Sequence, residues 1–267
     1  MFNYRTAAFD SIKVRNSEIL DKPIAFNFMR APTDNDSQRG DWFRAHLNDY
    51  ETKILSIITS ENEDNVIITV KQAFGWNINA PFLYGTVIYT ISKDGKLSVS
   101  FDFTATNKLR VLPRLGIRLF LKKNFDTAEY FGYGPNESYI DKHQSSYAGK
   151  FTANIKEMYE PYIKPQENSS HYGCRYVKIA SSTGESAPGI IFTGDEGKNI
   201  SFNFSQYTQE ELYSKRHNFE LKKCSSNVLC IDYKMAGVGS NSCGPVLAPK
   251  YRLELPEIKG MINLKLE

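Results

Sequence analysis

The chain has 267 residues, of which 41% are hydrophobic and 24% charged. That is enough to bury a sizeable core, and all-β units of this length often form one domain. A net charge of +3 without any stripe of Lys and Arg excludes a nucleic-acid surface, and no apolar run approaches the roughly 20 residues of a membrane helix.

Aromatic residues make up 13% of the chain, which favours strands over helices. The four cysteines, Cys174, Cys224, Cys230 and Cys243, form no Cys-x-x-Cys pair, so a zinc site is not expected. The first residues, MFNYRTAAFD, have neither a basic nor an apolar leader region. Reduced thiols in a cytoplasmic protein are the simplest reading.

In chain order, residues 1–24 alternate in short apolar pieces broken by Asp10, Asn16 and Pro23, the pattern of strands with tight turns. Asp34, Asn35 and Asp36 lack the Gly and distal Glu of a calcium loop. They read as turn and N-cap residues for a short helix over 37–45, docked by Trp42 and Phe43. Residues 53–74 read as two strands around the acidic turn 61–65. Trp76 follows in a loop, then a strand over 86–92 and an Asp94-Gly95 hairpin turn. Leu97, Val99, Phe101 and Phe103 alternate with Ser98, Ser100, Asp102 and Thr104, a two-faced strand. Further strands are expected over 115–121, 176–180, 189–193, 200–204, 229–233, 250–255 and 261–266, with turns at 181–184 and 194–197. Thr208 and Glu211 make a capping box, predicting a short helix that runs to about Lys215. Residues 130–175 mix aromatics, Pro, Gly and amides without alternation, so irregular backbone is expected there, of the kind that carries binding residues on a rigid scaffold. There is no internal repeat. Many short strands and two small helices predict an all-β sandwich.

Three long motifs stand out. The first is Arg30-Ala31-Pro32-Thr33-Asp34-Asn35-Asp36. The second begins Gly132-x-Gly134-Pro135-x-Glu137-x-Tyr139-x-Asp141, continues with Met158-Tyr159-x-Pro161-Tyr162-x-x-Pro165-Gln166-Glu167-Asn168, and ends at Arg175. The third is Met235-Ala236-Gly237-Val238-Gly239-Ser240-Asn241-Ser242-Cys243-Gly244-Pro245. In this order the chain resembles the C-terminal small-chain domain of the bacterial β-galactosidases of glycoside hydrolase family 2. The resemblance covers nearly the whole chain. It implies one domain over 1–267, with 1–24 able to include the end of a preceding linker or domain. It sharpens the fold to a large antiparallel supersandwich like that of galactose mutarotases.

A retaining glycosidase needs two carboxylates roughly 5–5.5 Å apart. The family carries them on a (β/α)₈ barrel, and this sequence has no βαβ alternation. No catalytic residue is therefore assigned, and the chain alone is expected to be inactive; Asn136-Glu137 belongs to the small-chain motif. The resemblance implies partners: the barrel and the remaining domains or large subunit of the same enzyme, with a galactoside such as lactose as substrate and an oligomer as the whole. No cofactor or metal is expected in this chain, and the family's Mg²⁺ and Na⁺ are expected on the barrel.

By the same resemblance, the loop 237–245 returns to the active-site mouth, where the family can present a tryptophan to the sugar. Cys243 stands at that position. Expected rim residues are Cys243, Ser240, Asn241, Trp76 and His171. The plainer readings are a small buried Cys243, a core Trp76 and a surface or turn His171. Glu137, Glu167, Asn168 and Arg175 are expected as buried or half-buried groups that orient loops or simply satisfy one another. The alternatives to a β-galactosidase part are a free-standing carbohydrate-binding module and a mutarotase-like epimerase; the latter needs a His/Glu pair on a concave face.

Overall fold

The computed structural model describes residues 1–14, 16–36, 39–77, 79–106, 109–181, 189–239 and 246–267. The strands that build its two main sheets begin with β1 (Leu20–Asn27), β2 (Glu51–Glu61), β3 (Asn65–Gly75), β4 (Leu83–Ser92) and β5 (Lys96–Ala105). Next come β6 (Arg114–Leu121), β7 (Phe125–Gly134), β8 (Tyr147–Asn154), β9 (Ser170–Cys174) and β10 (Tyr176–Ser181). The last are β11 (Ile190–Gly194), β12 (Ile200–Ser205), β13 (Asn227–Met235) and β14 (Glu257–Leu266). One sheet has nine strands in the order β8-β7-β10-β11-β14-β5-β4-β3-β2, and the other has five in the order β9-β12-β13-β6-β1. Pairing is antiparallel throughout both sheets among the described residues.

The alternation in the sequence explains how the sheets face each other. In β5, Leu97, Val99, Phe101 and Phe103 are buried while Asp102 is exposed. From the opposite sheet, Phe26 of β1 meets Phe74, Phe101 and Phe103 edge-on at centroid distances of 5.5, 6.1 and 5.3 Å. At the other end of the sandwich, Tyr130 of β7 meets Phe202 of β12 at 5.1 Å. These edge-to-face contacts add to the burial of large apolar area. The hairpin between β4 and β5 turns at Gly95, whose φ of +82° suits a residue without Cβ.

The helices are α1 (Arg39–Arg44) and α2 (Gln209–Ser214). Trp42 is buried, and the ring of Phe43 meets Tyr213 at 5.5 Å. The Thr208 hydroxyl accepts from the Glu211 amide at 3.1 Å, so the predicted cap is present. No helix among the described residues is long and apolar enough to cross a membrane.

The expected all-β architecture is observed, but its local reading needs correction in three places. Residues 130–175 lie outside the strands over 135–146 and 155–169, as expected, but they also hold the end of β7, all of β8 and all of β9, which the sequence did not announce. β8 is an edge strand with little buried surface, and β9 has only five residues and a Gly173 at φ +68°, so neither alternates clearly. The strand expected over 250–255 is a 3₁₀ turn, Pro249–Tyr251, followed by the two-residue strand Leu253–Glu254. The first helix begins at Arg39, and residues 37–38 of its expected start lie outside the described residues. So does most of the expected turn at 181–184.

Phe26 bridges the two sheets, so Phe26→Ala should lower unfolding stability by about 3–5 kcal/mol, the usual cost of truncating a core Phe. Tyr147→Ala, at a side chain 64% exposed, should change it by less than about 0.5 kcal/mol. Urea unfolding of both variants checks the contrast.

Candidate functional site

The three motifs meet at one end of the five-stranded sheet. Arg30, just beyond β1, is 1% exposed. Its guanidinium donates to Ala236 O at 2.6 Å and Gly237 O at 2.8 Å. It also pairs with Asp36, at 2.6 Å to Oδ1 and 3.3 Å to Oδ2. Asp36 in turn accepts from the Thr33 amide at 2.9 Å. From the second motif, Asp141 accepts the Val238 amide at 3.0 Å and the Gly239 amide at 3.2 Å. A Cβ on Gly237 would lie 2.5 Å from the Asp141 carboxyl carbon, and Gly239 has φ +97° with Asn35 packed beside it. Residues 236–239 are therefore gripped by an arginine on their carbonyls and a carboxylate on their amides. A side chain at Gly237 or Gly239 would break the grip.

Below this, Arg114 of β6 is fully buried between two carboxylates. Nη2 lies 2.9 Å from Glu167 Oε1 and 3.0 Å from Asp232 Oδ2, and Nε lies 2.8 Å from Asp232 Oδ1. Burial opposes the charge on Arg114, but the neighbouring Asp232 and Glu167 outweigh it and raise its pKa. Burial pushes the Asp232 carboxyl up to about 6; the Glu167 charge adds to this and the Arg114 guanidinium opposes it. Glu167 also accepts the Ala31 amide at 3.3 Å and donates its own amide to Ala31 O at 3.1 Å. The first motif is thus pinned to the second.

Glu137 has its acceptor capacity filled. Oε1 takes Lys142 Nζ at 2.6 Å and the Tyr162 hydroxyl. Oε2 takes the Ser169 amide at 3.1 Å and the Tyr139 hydroxyl at 3.3 Å. A carboxylate engaged by four donors ties its loops together. Burial, then the adjacent Glu137 charge, raises the Tyr139 hydroxyl well above its usual range. Asn168 donates to Gln166 O at 2.9 Å and accepts from the Ser169 hydroxyl, while its carbonyl takes Asn203 Nδ2 from β12. Together these segments line a cleft of about 580 Å³ bordered by Asn35, Asp141, Lys142, Tyr162, Gln166 and Gly239. Its walls offer hydroxyl, amide, ammonium and carboxylate groups, a set suited to hydrogen-bonding a polyol.

Glu137, Glu167 and Asn168 are all buried, and each is hydrogen-bonded to a neighbouring segment. Arg175 differs: it is exposed, and its guanidinium lies 4.7 Å from the Phe131 ring centroid. It follows β9 at the sheet margin, where no carboxylate draws it inward. His171 is neither at a rim nor on the surface. It is 2% exposed, stacked on Phe202 at 5.2 Å, with Nδ1 3.0 Å from the Tyr130 hydroxyl. Its place on β9 points the ring into the sandwich. Trp76 is 38% exposed rather than core, and its ring stacks on His46 at 4.3 Å and 3°. It does not line the cleft. Ser240, Asn241 and Cys243 lie outside the described residues.

Sequence reasoning gave no role to Arg30, Arg114, Asp141, Lys142, Tyr162 or Asp232. A signal existed for two of them: Arg114 and Asp232 each stand between apolar residues, in the runs VLPRLGI and NVLCIDYKM. A charge inside such a run implies a buried partner. Among the described residues, no group of three or more His, Cys, Asp or Glu side chains is arranged to hold a metal ion.

The family model described as "Beta galactosidase small chain" matches residues 1–264. The chain is similar to the β-galactosidase of Actinobacillus pleuropneumoniae, at 41% identity over 96% of this chain and 25% of that protein. It is also similar to that of Staphylococcus xylosus, at 34% identity over 99% of this chain and 26% of that protein. It therefore spans about a quarter of the length of these relatives. Among solved structures, a galactose mutarotase-like protein from Lactobacillus casei superposes with a TM-score of 0.51 at 12% identity, covering 100% of this chain and 95% of that one. That likeness concerns the fold.

The buried His171 generates a pH dependence. Burial lowers its pKa from the usual 6.5 to about 4. Between these values the unfolded chain binds the proton that the folded chain refuses, so stability falls as pH drops from 6.5 to 4, by up to about 1.4 kcal/mol per pH unit from this group. His171→Phe should flatten that part of the profile. Urea unfolding at pH 4.5, 5.5 and 7 measures it; an equal slope in both proteins contradicts the assignment.

Proposed function

Because the chain belongs to the β-galactosidase small-chain family, we propose that it is the C-terminal domain or small subunit of a β-galactosidase that hydrolyses terminal β-D-galactosides such as lactose with retention. The nucleophile and the acid/base carboxylates reside on a catalytic (β/α)₈ barrel contributed by the rest of the enzyme, which also holds the Mg²⁺ and Na⁺. This chain buttresses that barrel in a cytoplasmic, oligomeric enzyme and shapes the mouth of its sugar pocket. Ser240, Asn241 and Cys243 are the proposed rim residues.

The observation that supports this reading best is the grip on residues 236–239. Arg30 and Asp141 fix the backbone up to the residue before Ser240. A loop whose root is held so firmly presents its next residues in a defined place, and sugar recognition at a pocket mouth needs that. The chain itself supplies walls and loop supports. The carboxylate of the Asn136-Glu137 pair is consumed by its four donors.

Two outcomes are expected. This chain assayed by itself on a chromogenic β-galactoside should show no turnover, since the bond-breaking carboxylate pair lies elsewhere; turnover that persists after removal of contaminating enzyme overturns the proposal. In the complete enzyme, Asp141→Asn removes the charge that accepts the Val238 and Gly239 amides. It should raise the galactoside KM about 10-fold with kcat little changed, the pattern of lost binding at a mouth and of one charge-assisted hydrogen bond lost. Steady-state kinetics reads this directly, and a fall in kcat at constant KM argues against a rim role.

A further inference from the structure

Ile163 and Phe219 are both 85% exposed, so each forgoes nearly all the stabilisation that burial of a large apolar side chain brings. They stand on two segments that the backbone ties together: the Asn218 amide donates to Ile163 O at 2.9 Å, and the Tyr159 hydroxyl donates to Asn218 Oδ1. The 3₁₀ turn Asn218–Glu220 is closed by Glu220, whose carboxylate accepts the Arg216 and His217 amides at 3.0 and 3.1 Å. The His217 ring lies parallel to Phe219 at 5.2 Å and 8°. Ile163 is held on both sides, by Tyr162 on Glu137 and by Lys164 on Asp34 at 2.5 Å. Two apolar groups are thus displayed on a braced platform, and Ile163 is one residue away from Tyr162 in the wall of the cleft.

We infer that Ile163 and Phe219 form an apolar anchor that docks into a hollow on the catalytic remainder of the same β-galactosidase, beside the sugar pocket. The inference rests on the proposed function. The occupant follows from two facts: relatives carry about three quarters of their length beyond the part matched here, and Ile163 sits on the loop 159–168 that borders the cleft, with Phe219 tied to it through the Asn218 amide. A second copy seated at this place would crowd the cleft mouth, whereas the catalytic part has to reach it. Few, centrally placed large apolar groups are what fixes such an interface.

Cysteine labelling of the complete enzyme tests it. In Ile163→Cys and Phe219→Cys, with the labelling of the unsubstituted enzyme subtracted, a maleimide should react at least about 10-fold more slowly than in the same variants unfolded in urea, as for groups inside a water-excluding interface. Reaction at the unfolded rate overturns the inference. Protection that disappears on dilution while turnover of a chromogenic β-galactoside persists overturns it in favour of a contact between copies. The same turnover assay separates the two ideas: without turnover the proposed function fails, and with turnover but freely reactive cysteines only the anchor fails.

Discussion

A buried guanidinium without carboxylates, or the reverse, is not tolerable in a protein interior, and this constraint organises the functional end of the sandwich. Arg114 reaches Asp232 on the neighbouring strand and Glu167 on the loop that leads into β9. Removing one partner of such a set typically costs about 3–5 kcal/mol, although the set adds little net stability over an apolar core. Its effect is on choice of structure. A slip between β6 and β13 would strand charge in the core, so the bulge between Leu115 and Gly116, with Gly116 opposite Asp232, becomes the register that satisfies both. Arg30 repeats the principle one layer out, using two carbonyls and Asp36.

These braces explain why chain segments far apart in sequence line one cleft. Each motif contributes one half of a bond whose other half lies in a different motif: Arg30 with Ala236 and Gly237, Ala31 with Glu167, and Asp141 with Val238 and Gly239. The cleft walls consequently depend on long-range polar contacts more than on the hydrophobic core, while the core holds the two sheets apart at the spacing those contacts need. Lys142 and Tyr162 share one oxygen of Glu137, so the two loops of the second motif move together or not at all.

What the sequence makes legible follows the same division. Strands with one wet and one dry face, such as β5, announce themselves through alternation, and so do the acidic turn before β3 and the Thr208 cap. β8 escapes because the inward face of this edge strand offers only Gly149, Phe151 and Ala153, with one large apolar side chain among them, and β9 because five residues with a left-handed Gly173 are too few for a period. Motif resemblance pointed to Glu137, Glu167 and Asn168 but said nothing of their partners, since Lys142, Arg114 and Asn203 are brought to them by tertiary folding. His171 and Arg175 were misplaced for a simple reason: whether a polar residue at the end of a short strand turns inward or outward depends on strand phase, which the local sequence did not reveal.

The large sheet ends in β2, eleven residues long, and among the described residues no strand pairs with its outer edge. An open ribbon edge of this length is a template on which another extended chain can grow. Here Glu51, Lys53 and Glu61 place charges along it, and the irregularity between Ile54 and Ser56 spoils its repeat. Leu55 and Ile58, both more than half exposed, are the residues those devices must protect. The edge thus carries its own safeguard against fibrous self-association, one that operates while the protein is being made, before any other part of an enzyme has come to cover it.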